Sequence, residues 1–208
     1  MARLRKTGKM RSGAEFDGSR HLRVSCNNFF SIEPNSLFPA EGPLEVEIGA
    51  GRGEFIIARA AATPQRNFLA VEVSEPLVRL IETRAACAAL RNLRVVRMDA
   101  RPLVNLFLPC NCVSAYHVYF PDPWPKARHA KHRLFTPFFV DNLRRTMSAR
   151  ASLYIATDVS DYAESIFSMV CAHGLRPTGD VVVGLGCTGF ARRFNAEGRV
   201  VYARSFAK

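Results

Sequence analysis

From Leu44 onward, short apolar runs of β type alternate with amphipathic helical segments, and this alternation constrains the fold more than any other feature of the sequence. Strands are predicted over 44–48, 68–73, 93–98, 112–120 and 152–157, and helices over 54–62, 76–90, 138–148 and 162–173. The last thirty residues predict an antiparallel strand pair. Strands that alternate with helices indicate βαβ units. The sequence therefore predicts a doubly wound α/β fold with a mostly parallel sheet, in which ligands bind outside the carboxyl ends of the strands.

The chain is strongly basic, with 29 lysine and arginine residues against 18 acidic residues and a formal net charge of +11. A field of that size attracts polyanions, chiefly nucleic acid or an anionic membrane, although simple solubility is an alternative explanation. Basic residues are dense in Met1–Arg23, which is predicted to be a mobile arm ahead of a single domain over 24–208. The arm either contacts phosphates or is a solvated tail.

A cytoplasmic protein is expected from the same sequence. The basic N-terminal segment lacks the apolar core of a secretory signal, and no apolar run approaches the length of a membrane span. The six cysteines include no C-x-x-C pair, so reduced thiols and no metal site are expected.

Glycines at alternate positions follow the first predicted strand, in the segment Glu47–Gly53. They allow a sharp turn and let backbone N–H groups approach a ligand. A dinucleotide fingerprint needs glycine or alanine where this chain has Glu54, so NAD and FAD are disfavoured. The pattern E-x-G-x-G-x-G is typical of S-adenosylmethionine-dependent methyltransferases, with Gly49 and Gly51 against the cofactor and Glu47 facing its cationic methionine end. An ordinary tight turn is the alternative.

Two further acids end the next two predicted strands. Glu72 lies 23 residues beyond Gly49, near the offset of about 20 residues that is typical of a ribose-binding acid. Asp99 ends the third strand, where its carboxylate can accept from an adenine amino group. Acids are also common at strand ends as caps of the following helix, which is the alternative. Three acids at three successive strand ends favour the cofactor-binding interpretation.

The most specific segment is Tyr119–Leu134, which leaves the fourth predicted strand. Three prolines within five residues restrict the backbone, so Asp122 and Trp124 are held with little freedom. Basic residues follow, as expected of a loop that contacts phosphates. Those assigned to phosphates are Lys126, Arg128, Lys131 and Arg133. A proline-rich surface loop with a solvated charge run is the alternative.

This loop, with its pattern F-P-D-P-W-x-K-x-R-H-x-K-x-R-L, resembles the signature of the bacterial tRNA (guanine-N7-)-methyltransferases. The resemblance covers roughly residues 44–171 and implies a seven-stranded Rossmann-like sheet and S-adenosylmethionine as methyl donor. It also implies that the target is N7 of a guanine in the tRNA variable region, whose lone pair attacks without a general base. Asp122 is then the catalytic residue and contacts the cofactor together with Glu47, Glu72 and Asp99. Lys126 and Asp158 contact the substrate.

One segment departs from the family pattern. Where the family has T-[KR]-F-E near the C-terminus, as part of the substrate site, this chain reads Thr188-Gly189-Phe190-Ala191. Thr188 is retained as a predicted substrate contact, whereas the basic residue and the carboxylate are missing. Arg192 and Arg193 are candidates to replace the base, and Glu197 is a candidate to replace the acid.

Three other functions are open alternatives. A methyltransferase of the same fold that acts on a protein or small molecule is disfavoured by the basic charge and the loop pattern. A tRNA-binding protein with a decayed active site is disfavoured by the intact acids, and a nicotinamide oxidoreductase by Glu54. A monomer and a homodimer are both open.

Overall fold

Helices and strands alternate along the chain in the computed structural model, which describes residues 23–24, 33–180 and 182–208. The strands are β1 (Arg23–Val24), β2 (Leu44–Ile48), β3 (Asn67–Glu72), β4 (Leu93–Arg97), β5 (Val113–Tyr119), β6 (Met147–Thr157), β7 (Arg176–Gly179) and β8 (Tyr202–Ala207). The helices are α1 (Glu54–Ala62), α2 (Glu75–Cys87), α3 (Ala100–Pro102), α4 (Pro137–Thr146), α5 (Ser160–Ala172) and α6 (Gly189–Ala196). Short 3-10 turns cover Pro34–Leu37, Ala127–His132 and Leu185–Cys187, and a π-helical turn covers Leu103–Phe107.

The strands form one sheet in the order β1-β4-β3-β2-β5-β6-β8-β7. Strands β1 to β6 run parallel, and β8 runs antiparallel to both β6 and β7. The predicted doubly wound, mostly parallel sheet is therefore confirmed, and the two-residue strand β1 lies at its edge beside the seven predicted strands. The strand order reverses between β2 and β5, and ligands of open α/β sheets bind at such a switch point.

Helices pack on both faces of the sheet because its central strands are apolar on both sides. In β3, Leu69 and Val71 lie in one buried cluster, while Phe68 and Ala70 lie in the other. Helices α4 and α5 contribute to the first cluster, and α1 and α2 contribute to the second. With both faces covered, the ends of the strands are the parts of the sheet that a ligand can reach.

The C-terminal region differs from its sequence prediction. The antiparallel pair forms between β7 and β8, but a helix, α6, which the sequence analysis did not predict, lies between the two strands. The Thr188 hydroxyl caps α6 by accepting from the Ala191 N–H at 3.0 Å, which satisfies one of the first N–H groups of the helix. Ala191 and Phe194, three residues apart, supply its buried face.

Strand β6 begins at Met147, five residues before its predicted start. Helix α4 ends at Thr146, two residues before its predicted end. The register explains the difference, because Met147 pairs with Val113 whereas Ser152 pairs with Ala115. Residues 148–151 therefore form an irregular insertion, which hides the alternation of a strand from sequence analysis. Within it, Arg150 has a φ of +64°, in the left-handed region that few residues other than glycine adopt.

Within the described ranges, no helix combines the length and the apolar character needed to cross a membrane. Nearly all of the predicted basic arm, residues 1–22, lies outside the described residues, and Arg23 at its boundary belongs to β1. The boundary between arm and domain stays a prediction.

Candidate active site

Five predicted acids lie at the carboxyl ends of five neighbouring strands. Glu47 is the last residue but one of β2, Glu72 ends β3, and Asp99 follows the end of β4 by two residues. Asp122 follows β5 by three residues, and Asp158 directly follows β6. Because β4, β3, β2, β5 and β6 are consecutive in the sheet and parallel, these carboxylates share one edge, with the switch point at its centre.

Glu72 organises the glycine turn that follows β2. One carboxylate oxygen, Oε2, accepts from the Gly51 N–H at 2.8 Å, and the other, Oε1, accepts from the N–H groups of Val73 (2.8 Å) and Ser74 (2.9 Å). The residue is 8% exposed, so these bonds are largely shielded from water. Glu72 thus joins the ends of two neighbouring strands. Its Oε1 already accepts two hydrogen bonds, whereas Oε2 accepts one and keeps room for a further donor from the site.

Glu47 is a buried acid whose carboxylate is only partly satisfied. It is 4% exposed and accepts a hydrogen bond from the Ile56 backbone N–H, but its Oε2 has no partner among the described residues. Burial raises the pKa of Glu47 well above its ordinary value; the Ile56 bond opposes this rise and the charge of Glu72 adds to it. A buried acceptor without a donor is costly, and a cationic group in the site would remove that cost.

Gly53, at the start of α1, is the glycine that the turn can least replace. Its φ is +71°, and a Cβ there would lie 2.8 Å from Ile81 Cγ1 and 3.2 Å from Ile57 Cδ1. We expect Gly53→Ala to destabilise the fold by about 2–4 kcal/mol, because left-handed strain and overpacking add. Gly49→Ala is the matched control: its φ is +75° but the space around its Cβ is open, so about 1 kcal/mol is expected. Urea unfolding measures both, and equal losses would contradict the packing argument.

Asp99 acts in the structure as the cap that the sequence analysis weighed as the alternative. Its carboxylate accepts from the Arg101 N–H at 2.8 Å and forms an ion pair with the Arg101 guanidinium. The side-chain bond from Arg101 holds the pKa of Asp99 below its ordinary value. The carboxylate is therefore ionised and half-exposed at the rim, and its contact with adenine stays a prediction.

The proline-rich loop after β5 is held in a conformation that costs backbone strain. Phe120 and Trp124 both have positive φ values, +55° and +43°. Strain of this kind persists only where surrounding contacts impose it, and it concentrates at functional sites. Arg133 supplies such a contact, because its Nε donates to the Pro123 carbonyl at 2.9 Å while its guanidinium lies 5.1 Å from the centre of the Tyr162 ring. Asp122 is exposed between the strained residues.

The predicted phosphate contacts divide into two groups. Lys126, Arg128 and Lys131 are exposed and lie on one loop, as a polyanion-binding surface requires. Arg133 is partly buried and is engaged with loop carbonyls, so its observed role is to position the loop. Its phosphate contact stays a prediction.

Trp124 lies among the histidines of the same loop, 5.8 Å from His129 and 5.2 Å from His132 between ring centres. His117, by contrast, is buried in β5, where it stacks on Tyr154 at 5.1 Å. Among the described residues, no group of three or more His, Cys, Asp and Glu side chains is placed to hold a metal ion.

Asp158 has a partner that the sequence analysis missed. Its carboxylate pairs with Arg199, whose guanidinium also lies 4.2 Å from the centre of the Phe194 ring. The two charged residues are 41 positions apart, and only the packing of α6 brings them together. Thr188, the predicted substrate contact in the same region, is buried and uses its hydroxyl to cap α6. Its contact with substrate stays a prediction.

At Gly189, where the chain departs from the family pattern, the position of Glu54 leaves no room for a side chain. A Cβ at this position would overlap Glu54 Oε2, and that oxygen accepts from Arg192 at 2.9 Å. Arg192 therefore brings a guanidinium to the rim where Gly189 carries no side chain. Glu197, the candidate for the missing acid, pairs with Arg193 at 2.7 Å and turns its carboxylate to that arginine.

Residues 41–178 match the model of a protein family described as "Putative methyltransferase". The chain is similar to the tRNA (guanine-N(7)-)-methyltransferase of Psychromonas ingrahamii, with 37% identity over 141 residues, or 68% of this chain and 58% of that relative. The enzyme of the same name from Syntrophotalea carbinolica is 32% identical over 173 residues, covering 80% of this chain and 75% of the relative. The chain thus spans less than two thirds of some of the relatives that it matches.

Solved structures resemble the fold at lower identity. The 16S rRNA methyltransferase KamB aligns with a TM-score of 0.61 and 16% identity, covering 83% of this chain and 89% of that chain. The [4+2]-cyclase SpnF aligns with a TM-score of 0.56 and 12% identity, covering 84% of this chain and 78% of that chain. Since a cyclase shares the architecture, the fold alone does not decide the chemistry, and the residues of the site must decide it.

Proposed function

This chain belongs to the family of tRNA (guanine-N7-)-methyltransferases, and on that basis we propose that it transfers a methyl group from S-adenosylmethionine to N7 of a guanine in the variable region of tRNA. The observation that carries the proposal is the meeting of two features at the switch point. Near the end of β2, Glu47 has a buried carboxylate oxygen without a partner among the described residues, and the strained loop with Asp122 leaves the adjacent strand β5. A tRNA substrate would also place the protein in the cytoplasm.

The residues at this edge fit S-adenosylmethionine, which would supply an activated methyl group. Glu47 would bind its cationic methionine end, and the donor would satisfy the orphaned Oε2. Glu72 would accept from a ribose hydroxyl with the lone pair of Oε2 that Gly51 does not use. Asp99, ionised at the rim of β4, would accept from the adenine amino group.

The base would be oriented by carboxylates. Asp122 and Asp158 would accept the N–H groups of guanine and stabilise the positive charge that the ring gains as N7 is methylated. N7 is a neutral lone-pair nucleophile, so positioning can replace proton abstraction as the main contribution of the protein. Asp158 is paired with Arg199 in the structure, so guanine would exchange for that arginine on binding.

The pH dependence of cofactor binding should report on Glu47. Its pKa is raised, so at low pH the carboxyl is neutral and offers no charge to a cation. We expect the affinity for S-adenosylmethionine, measured by calorimetry, to rise with pH as Glu47 ionises. In the ligand-free protein the sign is opposite: the stability contributed by the raised pKa is present at low pH and lost as pH rises through that pKa.

Glu47→Gln should weaken cofactor binding about tenfold at neutral pH and flatten the profile, because the amide does not ionise. Glu41→Gln, which alters an exposed residue before β2, is the control and should keep both affinity and profile. An unchanged profile in Glu47→Gln would remove Glu47 from the cofactor site.

Arg128→Ala and Lys131→Ala should weaken tRNA binding to all sequences alike. Each should lower the slope of log K against log salt concentration by about one unit, since each contact releases about one counterion. Arg133→Ala should instead lower turnover more than binding, because the side chain holds Pro123 and the loop. Filter binding across a salt series measures the slopes, and a slope insensitive to Arg128→Ala and Lys131→Ala would contradict the assignment.

The decisive experiment identifies the product. Unmodified tRNA is incubated with methyl-labelled S-adenosylmethionine, then digested to nucleosides and separated. Label in N7-methylguanosine is expected. Label in another nucleoside would overturn the target atom, whereas tRNA binding without any label would favour a tRNA-binding protein with a decayed site.

A further inference from the structure

A polar cavity of about 380 Å³ lies at the opposite edge of the sheet from the candidate active site, away from the carboxyl ends of the strands. It is lined by the beginnings of β2 and β5, by the irregular insertion of β6, and by arginines from α1 and the loop that follows it. None of the residues assigned to cofactor, guanine or tRNA contributes to it.

The charges in this cavity do not balance. Three guanidinium groups, those of Arg59, Arg66 and Arg150, share it with one carboxylate, Glu45. These four side chains thus leave two positive charges in excess. Burial raises the pKa of Glu45, but hydrogen bonds from His117 and Arg59 and the positive charge of Arg59 outweigh it and lower the pKa to about 2, so the carboxylate is ionised. Burial lowers the pKa of His117, which keeps that ring neutral.

Glu45 occupies only part of the donor capacity of its arginines. Arg59 donates to it through Nε and Nη2, both at 3.1 Å, and Arg66 donates through Nη1 at 3.1 Å. The remaining N–H groups of Arg59 and Arg66, and the whole guanidinium of Arg150, have no hydrogen-bond partner among the residues that the structure describes. Ser148 and Ser152, whose hydroxyls can donate hydrogen bonds, also line the cavity.

Arg150 is held there at a cost in backbone energy. Its φ of +64° is unfavourable for a residue with a Cβ, and glycine would adopt it freely. The insertion that carries it is fixed from outside, since Lys208 donates through Nζ to the Met147 carbonyl at 2.6 Å and through its backbone N–H to Ala151 at 3.2 Å. A strained arginine on a fixed backbone that lines the same cavity as two other arginines is the arrangement expected of an anion site.

We propose that this cavity binds a phosphate group through Arg59, Arg66 and Arg150, with the serine hydroxyls as further donors. Guanidinium groups match the oxygens of phosphate bidentately, and two excess positive charges match its dianion. The phosphate belongs either to a small free ligand or to the backbone of a bound RNA. The two sources share this chemistry and are separated by the test below.

Arg150→Gly is the variant of choice, because it removes the guanidinium and relieves the backbone, so the protein stays folded. Arg91→Ala is its matched control: Arg91 is exposed in the loop before β4, at the same edge of the sheet, and lies outside the cavity. One arm titrates inorganic phosphate into each protein by calorimetry, against chloride at matched ionic strength. The other arm measures affinity for unmodified tRNA.

In the first arm, we expect Arg150→Gly to weaken phosphate binding about tenfold, while Arg91→Ala matches the unaltered protein. A loss confined to inorganic phosphate identifies a small ligand. A loss of tRNA affinity beyond that of Arg91→Ala identifies the RNA backbone as the source. If Arg150→Gly differs from Arg91→Ala in neither arm, the proposal is wrong. Neither arm measures methyl transfer, and the phosphate arm needs no tRNA binding, so a failure of this proposal can be told apart from a failure of the proposed function.

Discussion

Replacement of Asp122 by asparagine should lower turnover with tRNA by about 100- to 1000-fold. The amide keeps the size of the side chain but removes the negative charge, and it places N–H donors where guanine donors need an acceptor. The charge that the guanine ring gains in the transition state then loses one of its two stabilising carboxylates, so kcat falls while affinity for tRNA changes little. The loop itself should keep its conformation, because Asp122 is exposed and the strain at Phe120 and Trp124 is imposed by other contacts.

Single-turnover kinetics with saturating cofactor measure this effect without interference from product release. Asp161→Asn is the matched control, since it removes an exposed carboxylate from the first turn of α5, near the same edge of the sheet. It should leave the rate within about twofold, as expected of a surface charge that contacts no reacting group. Near-normal turnover in Asp122→Asn would eliminate the catalytic role of Asp122.

Replacement of Glu72 by alanine should lower the affinity for the cofactor more than any other substitution considered. Three backbone N–H groups, from Gly51, Val73 and Ser74, lose their acceptor in this variant. The glycine turn then loses its link to β3, and the ribose loses its carboxylate. We expect affinity for S-adenosylmethionine to fall about 100-fold and the free energy of unfolding to fall by about 2–4 kcal/mol.

Two measurements separate binding from folding in this variant. Titration calorimetry at a temperature well below the unfolding midpoint gives the affinity for S-adenosylmethionine. Urea unfolding gives the free energy of unfolding. Glu72→Gln keeps one oxygen acceptor, so its affinity for the cofactor and its free energy of unfolding should both lie between those of the alanine variant and those of the unaltered protein. Glu164→Ala, on the exposed face of α5, should change neither. Tight cofactor binding by folded Glu72→Ala would exclude Glu72 from the site.

Local periodicity predicted most of the sheet. The bounds of α1 agree with its predicted segment, and the central strands agree to within two residues at each end. Strands alternate buried side chains over two positions and helices over three or four, so a few consecutive residues carry the signal. Helix α6 was missed because it is short and its buried face has only two residues, Ala191 and Phe194. The early start of β6 was missed because an irregular insertion interrupts its alternation.

The partners of the predicted site residues were harder to find. Arg101 lies two residues from Asp99, and its competing role as a capping partner was foreseeable from the chain. Arg199 and Arg192 reach Asp158 and Glu54 only because α6 packs over the edge of the sheet. Arg133 lies in a basic segment and was predicted to contact phosphate, yet in the structure it is partly buried and donates to the Pro123 carbonyl. Charge in a sequence states what a side chain can bind, not which of several partners is near.

The sequence by itself determined the doubly wound architecture, the family and the set of acids at the strand ends, because these depend on local pattern and on a loop of high specificity. The tertiary structure decided which of those acids are satisfied. Within the part of the chain that the structure describes, Glu47 Oε2 has no partner, Glu72 accepts from three backbone N–H groups, and Asp158 pairs with Arg199. The tertiary structure also brings together Arg59, Arg66 and Arg150, from three separate segments, around one polar cavity. Burial and partner choice are properties of packing, which joins residues far apart in the chain, and no local pattern records them.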